Sequence, residues 1–330
     1  MKKIKIFSPA TVSNVACGFD ILGFPIESFG DEMTISKSDN MGVRITKVEG
    51  YPIPSDPKKN VATVSAENLI KDLKPNCGFD IEIKKNIIPG SGIGSSGSNA
   101  AGSVFAINKL LGEPLTTKQL IKYAMAGEGI SSLTEHPDNV APALLGGLVM
   151  VKSIKEENII SLPIPRDLFC FVINPKIEVK TSYSREILPT QVELSLMTNQ
   201  VANFGALVHA LHTSNYDILR SSLVDNVIEK HRKKLIPSFD KVQKKCLEMG
   251  ALGCSISGSG PSIFALTKGK DDANKINTEI NKIYKETNID FSTYVSKISS
   301  EGIKIIDPKD RKSTRLNSSH SQQSRMPSSA

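Results

Sequence analysis

Tryptophan is absent and aromatic residues make up only 5% of the chain. A core must therefore be assembled from Ile, Leu, Val and Ala. The few aromatics are not interleaved with basic residues, as a stacking surface for single-stranded nucleic acid requires. Cysteine is also scarce. Cys17, Cys77, Cys170, Cys246 and Cys254 are an odd number without a Cys-x-x-Cys pair, which argues against a disulfide framework or zinc ribbon and for a reducing, cytoplasmic setting. No run of 18 apolar residues occurs, so no membrane-spanning helix is expected. The basic start Met1-Lys2-Lys3-Ile4-Lys5 has no continuous apolar stretch behind it and does not read as a secretory signal. The formal charge is +7, but Arg311, Lys312, Arg315 and Arg325 stand in a tail without acids, which leaves +3 for residues 1–310. So balanced a body does not read as a nucleic-acid binder.

What remains is a chain of 330 residues, enough for two domains, with 39% hydrophobic and 23% charged residues. Alternating or β-rich patterns predict strands over 4–7, 32–36, 43–48, 79–88, 148–151, 169–174, 254–257, 262–266 and 291–298. Helical spacing predicts helices over 60–73, 99–111, 116–128, 190–213, 238–249 and 271–286. Thr116 and Gln119 have capping-box spacing. Residues 152–167, polar and holding Pro163 and Pro165, read as a domain boundary. The Ser-rich tail from Arg311 has no periodicity and reads as disordered or artefactual. Strands covered on one side by helices give an α+β layered class.

The sharpest local feature is Pro89-Gly90-Ser91-Gly92-Ile93-Gly94-Ser95-Ser96-Gly97-Ser98-Asn99, between a predicted strand and a predicted helix. Its glycines allow positive φ and close approach of the backbone to a ligand, and the helix behind it offers free N–H groups and a positive dipole end. Together these suit phosphate. Three phosphate-site readings and a plain turn compete. Gly92-x-Gly94-x-x-Gly97 matches a dinucleotide fingerprint, yet the preceding strand is half polar. A P-loop needs a Lys that is missing here. The third is a loop of the type Pro-x-x-x-Gly-Leu-Gly-Ser-Ser, with Ile93 in the Leu place.

Two further motifs stand in order around this one: Ser8-Pro9-Ala10-Thr11-Val12-Ser13-Asn14-Val15-Ala16-Cys17-Gly18-Phe19-Asp20, and Gly253-Cys254-Ser255-Ile256-Ser257-Gly258-Ser259-Gly260-Pro261-Ser262. With the glycine loop they resemble the three motifs of the GHMP kinase superfamily, and the resemblance covers roughly residues 2–306. Glu128, then His136-Pro137-Asp138-Asn139-Val140-Ala141-Pro142, then Thr181-Ser182-Tyr183-Ser184-Arg185 and Arg232-Lys233-Lys234, resemble its homoserine kinase branch. One departure is Gly97-Ser98-Asn99, where that family often has Ala-Ala-Ser.

The resemblance implies a two-domain fold: a ribosomal-S5-like N-terminal domain over 1–155 and a ferredoxin-like C-terminal domain over 156–307, followed by the tail 308–330. It also implies ATP and Mg²⁺ as cofactors, L-homoserine as the small-molecule substrate, and a homodimer. The loop residues 89–99, with Asn60 and Lys85 at its border, are then expected at the nucleotide. Ser96 and Glu128 match the metal ligands. Mg²⁺ takes hard oxygens and keeps several waters, so one hydroxyl and one carboxylate suffice.

Homoserine carries a carboxylate, an ammonium and a hydroxyl. Arg185 and Arg232 are candidates for the carboxylate, Asp20 for the ammonium, and Asn14, His136, Thr181 and Gly258 for neighbouring contacts. Asp138 and Asn139 are the catalytic candidates beside Ser96 and Glu128. Which of the two faces the hydroxyl stays open; if it is Asn139, no side-chain base acts and alignment carries the chemistry. Each residue also has a plainer reading: Glu128 as a solvated helix end, Arg232 as part of a basic face, Asn14 and Asp20 as turn formers. His209 and His212 read as packing residues. A kinase for a sugar, a mevalonate-like acid or shikimate, and a silent nucleotide-binding protein, remain as alternatives.

Overall fold

The computed structural model describes residues 1–132 and 137–306. The tail 308–330 and His136 lie outside the described residues.

The strands are β1 (Lys3–Ser13), β2 (Leu22–Ser38), β3 (Val43–Gly50), β4 (Gly78–Lys85), β5 (Leu148–Ser153), β6 (Asn158–Leu162), β7 (Leu168–Pro175), β8 (Gly253–Ile256), β9 (Ile263–Lys268), β10 (Phe291–Lys297) and β11 (Lys304–Ile305). The first sheet runs β11-β1-β2-β4-β3, with β5 paired to β2 and β6 to β5; the second runs β10-β7-β9-β8. Only β3 and β4 pair in parallel within the first sheet. The helices are α1 (Val61–Leu73), α2 (Ser95–Leu110), α3 (Thr117–Ser132), α4 (Pro137–Leu145), α5 (Thr181–Glu186), α6 (Leu194–Thr213), α7 (Tyr216–Ser222), α8 (Glu229–Arg232), α9 (Phe239–Glu248) and α10 (Lys270–Lys285). None of the described helices is long and apolar enough to cross a membrane.

Patterns with a clean period fold as read. β4 turns Phe79, Ile81 and Ile83 into the core and Glu82 and Lys84 outward. α10 buries Ala273, Ile276, Ile280 and Ile283 along one face. Thr116 Oγ1 accepts from the Gln119 amide while Gln119 Oε1 accepts from the Thr116 amide, a reciprocal cap at the start of α3.

Other segments depart from the expected pattern. β1 does not stop at Phe7 but runs through the Ser-Pro-Ala-Thr motif to Ser13. α2 begins at Ser95, four residues earlier than expected. Gly and Ser disfavour helix interiors, but here they let α2 pack on all sides: it is buried from Ala100 to Val104 without a break. Residues 137–145, with two prolines, are helical because Pro137 occupies the first turn, where its missing N–H costs nothing. The segment 152–167 contains β6, a hairpin partner of β5, so a boundary at 155 falls in the turn of that hairpin.

The two sheets share a core. Ala10, Val12, Leu22 and Phe24 of the first pack with Cys170, Val172 and Phe264 of the second and with Leu207 of α6. Phe29 stacks on Tyr294 at 4.2 Å between centroids. The end of β1, the start of α2 and the turn after β8 are thereby held against one another.

Candidate active site

At the end of β1 the chain enters an unusual turn. Asn14, Val15, Ala16 and Asp20 all have positive φ, at 71°, 37°, 56° and 61°. Such backbone costs on the order of 1–3 kcal/mol per residue and persists only where surrounding structure imposes it. The imposing contacts come from the second sheet. The Gly258 amide donates to the Ser13 carbonyl at 3.2 Å, Asn14 Nδ2 donates to the Gly258 carbonyl at 2.7 Å, and Asn14 Oδ1 accepts from the Asp20 amide at 3.0 Å. Asn14 and Asp20 are turn formers, then, and their turn is a junction between the two sheets.

The glycine loop abuts the same junction. Gly92 O accepts from Ser257 Oγ at 2.7 Å, and Ser91 O accepts from Ser262 Oγ at 2.6 Å and from Asn174 Nδ2 at 3.2 Å. Gly94, at φ +69°, is required by the protein itself: a Cβ there would stand 1.9 Å from Thr11 Oγ1 and 2.9 Å from Asn139 Oδ1. The expectation that its role is close approach to a ligand therefore gains a second, internal reason. Any side chain at 94 would disturb the ligand-free fold too.

α2 opens directly on this loop. Its first intrahelical bond runs from the Ser98 amide to the Gly94 carbonyl at 2.8 Å, so the preceding N–H groups of Ser95, Ser96 and Gly97 face outward from the helix end as anion donors. The hydroxyls differ in use. Ser95 Oγ donates to the Ile87 carbonyl, and Ser98 Oγ to the Ser8 carbonyl at 3.0 Å. Both are spent on the fold. Ser96 instead hydrogen-bonds Glu128.

Lys85 and Asn60, expected at the nucleotide, are engaged inside the protein. Lys85 is 1% exposed; its ammonium bonds Asp31 and the Ser95 carbonyl. Asp31 also accepts from the amides of Asn86 and Ile87 and from Asn99 Nδ2. This buried charge pair, with its acceptors filled, props the first turn of α2 from below. Burial holds the Lys85 pKa below the usual lysine value, against the pull of Asp31. Asn60 caps α1 through Oδ1 to the Ala62 amide, its Nδ2 tied to the Pro54 carbonyl.

Two buried acids face the opening of the loop. Glu128 on α3 is 4% exposed. Burial pushes its carboxyl up to about 7, opposed by the Ser96 hydrogen bond and the Lys85 charge. Asp138 on α4, 2% exposed, is likewise raised to about 7, first by burial and then by Asp20. Asn139 joins α4 to β1, with Oδ1 accepting from Thr11 Oγ1 at 2.7 Å and Nδ2 donating to Ser13 Oγ at 3.0 Å. Its amide is oriented from both ends.

At the far side are the basic groups. Arg185, on α5, grips Asp20 with both terminal nitrogens, at 2.6 and 3.1 Å. The two residues expected to receive opposite ends of a zwitterion thus pair with each other. Arg232 is no part of a solvated face: it is 4% exposed, with Nε donating to the Ser184 carbonyl and Nη1 to the Gly258 carbonyl. Thr181 Oγ1 lies 3.4 Å from Ser259 Oγ. Motif reading passed over Thr11, Ser13 and Phe19 although it quoted all three. Each sits within three residues of a named candidate, and that proximity was the available signal.

The arrangement is a helix N-terminus with a hydroxyl–carboxylate pair, near a cluster of an acid, Asp20, and two guanidinium groups. Hard oxygens from Ser96 and Glu128 are the donor set that Mg²⁺ prefers. Residues 60–147 match the family model of the GHMP kinase N-terminal domain and residues 199–286 that of the GHMP kinase C-terminal domain. A homoserine kinase of Chlorobium phaeobacteroides (strain DSM 266) is 39% identical over 320 residues, covering 93% of this chain and 100% of its own. One from Xylella fastidiosa (strain M12) is 32% identical, covering 92% and 94%. A crystal structure of homoserine kinase from Cytophaga hutchinsonii superposes with a TM-score of 0.89 at 42% identity, covering 93% of this chain and 98% of that one. The chain belongs to the GHMP kinases and, within them, to the homoserine kinase family.

Proposed function

We propose that this kinase transfers the γ-phosphoryl group of ATP to the hydroxyl of L-homoserine, the step that commits homoserine to threonine, and that the residues gathered above divide the work. The observation that carries the reading is the adjacency of an anion-binding helix start, the Ser96–Glu128 pair and the Asp20–Arg185 pair. The first suits polyphosphate, the second a divalent cation, the third a substrate with both an ammonium and a carboxylate. A neutral sugar has no use for the third.

In this reading the backbone of residues 89–98 receives the phosphates, and Ser96 and Glu128 hold Mg²⁺. Bound there, the cation would neutralise phosphate charge. Lys85 and Asn60 act one step back, Lys85 by fixing the helix start and Asn60 by capping α1. The substrate ammonium takes Asp20, and its carboxylate takes Arg185 and Arg232. Thr181, Asn14 and Gly258 frame that end, and His136 stays a candidate from the motif alone.

The hydroxyl oxygen then forms a bond to the γ-phosphorus as the bond to the β-phosphate oxygen breaks and ADP leaves. Asn139, its amide fixed by Thr11 and Ser13, has no proton-accepting group. Alignment and electrostatics carry the step, Asp138 touches the substrate, and the hydroxyl proton leaves on a phosphate oxygen. A homodimer in the cytoplasm completes the reading; the five cysteines, all free thiols, suit a reducing compartment.

The substrate reading is checked with wild-type enzyme and three acceptors: homoserine, its carboxamide and its N-acetyl derivative. Loss of either charge is expected to lower kcat/KM by roughly tenfold or more, since a hydrogen bond to a charged group is worth about 1.5–3 kcal/mol. Equal rates for all three would contradict a zwitterion site.

A further inference from the structure

Between the two guanidinium groups stands a side chain with no assigned role. The ring centroid of Phe19 is 5.1 Å from Arg185 Cζ and 5.1 Å from Arg232 Cζ. Both distances fall within the range in which a cation is drawn to an aromatic face. We propose that Phe19 is a positioning residue for acceptor recognition: one ring seats two like charges close together, so that both can meet a single carboxylate. The inference rests on the reading of Arg185 and Arg232 as the carboxylate partners.

The need for such a seat follows from the charges themselves. Two guanidiniums near one another repel, and Arg232 is already buried. Its pKa is lowered to about 10, first by burial and then by Arg185. The ring offsets part of that repulsion from a position neither arginine can shift. Phe19 lies in the strained turn between Asn14 and Asp20, and contacts around it close on themselves. The Asp20 amide bonds Asn14 Oδ1, Asn14 Nδ2 bonds the Gly258 carbonyl, and that carbonyl also accepts from Arg232 Nη1. Arg232 and Arg185 both rest on Phe19, and Arg185 returns to Asp20. A substrate zwitterion inserting between Asp20 and Arg185 breaks one link of this circuit. The ring then keeps Arg185 near its place, with Arg232 beside it. An aliphatic residue could fill the volume but has no negative face to offer the second cation.

The test uses the full chain with F19L and F19Y. F19L should raise KM for homoserine about tenfold, with kcat and KM for ATP within about twofold of wild type. F19Y, which keeps the ring face, should restore KM to near the wild-type value. The loss caused by F19L should shrink when Arg185 is already alanine, because the ring then has one cation fewer to seat. Should F19L fold poorly, F19M keeps the volume without the ring and takes its place.

An unchanged homoserine KM in F19L, a Tyr variant as impaired as Leu, or additive losses with R185A would each overturn the proposal. Homoserine carboxamide separates the two levels. If wild type accepts the amide as readily as homoserine, the carboxylate reading fails whatever Phe19 does. If the amide is poor and F19L is neutral, only the role of Phe19 fails.

Discussion

Glu128→Gln should remove most turnover while leaving the protein folded. The substitution keeps the shape and a hydrogen bond for Ser96, but takes away the carboxylate charge that contacts Ser96 at the start of α2. A cation held there contributes several kcal/mol of charge stabilisation in phosphoryl transfer, and about 3 kcal/mol corresponds to roughly a hundredfold in rate. Steady-state assays at saturating Mg²⁺ check this, and near-normal kcat would remove Glu128 from the metal site.

The same residue predicts a pH signature. Burial raises its pKa from 4.5 to about 7. The folded state then holds the proton more tightly than the unfolded chain. The stability this contributes is present in full below about 4.5 and is lost as pH rises to about 7. Without Mg²⁺, the difference in melting temperature between wild type and Glu128→Gln should therefore shift against wild type over that window. Cation binding needs the ionised form, so Mg²⁺ affinity should weaken as pH falls below about 7. A flat Mg²⁺ affinity from pH 8 to pH 6 would contradict the assignment.

Arg185→Ala is expected to lower kcat/KM for homoserine tenfold to a hundredfold, the loss of a charge-assisted pair worth about 1.5–3 kcal/mol. Lysine should rescue only part, since it keeps the charge and loses the fork. Stability should scarcely move. Arg185 and Asp20 are 30% and 33% exposed, and ion pairs so open to solvent contribute about 0–1 kcal/mol to folding. KM for ATP should also stay near wild type. A large fall in melting temperature with unchanged KM for homoserine would make the Asp20–Arg185 pair structural and nothing more.

These two residues also mark what a sequence discloses. Glu128 and Arg185 are visible as motif members, and β4 and α10 are visible as periods, because burial on one face leaves a regular trace. The start of α2 leaves none. Its Gly and Ser residues score as loop, and only packing against β1, α1 and α3 makes them helix. The helix at 137–145 is hidden by its prolines for a similar reason. Lys85 looks like one more charged residue after Glu82 and Lys84, yet it is buried. Its partner Asp31 lies 54 residues away, and no local pattern can join them. The Asp20–Arg185 contact spans 165 residues. The sequence names both members as ligands, and only three dimensions reveal that they hold each other when no substrate is there to hold.

The central claim is that the enzyme reads an amino-acid zwitterion and phosphorylates its hydroxyl. The most direct measurement is ADP release by the purified chain with ATP and Mg²⁺, across homoserine, mevalonate, galactose and shikimate at equal concentrations. The account predicts stoichiometric ADP with homoserine and a kcat/KM at least about a hundredfold lower with the other three, which lack the paired charges of an amino-acid zwitterion. Turnover of mevalonate, galactose or shikimate equal to or faster than that of homoserine would contradict it.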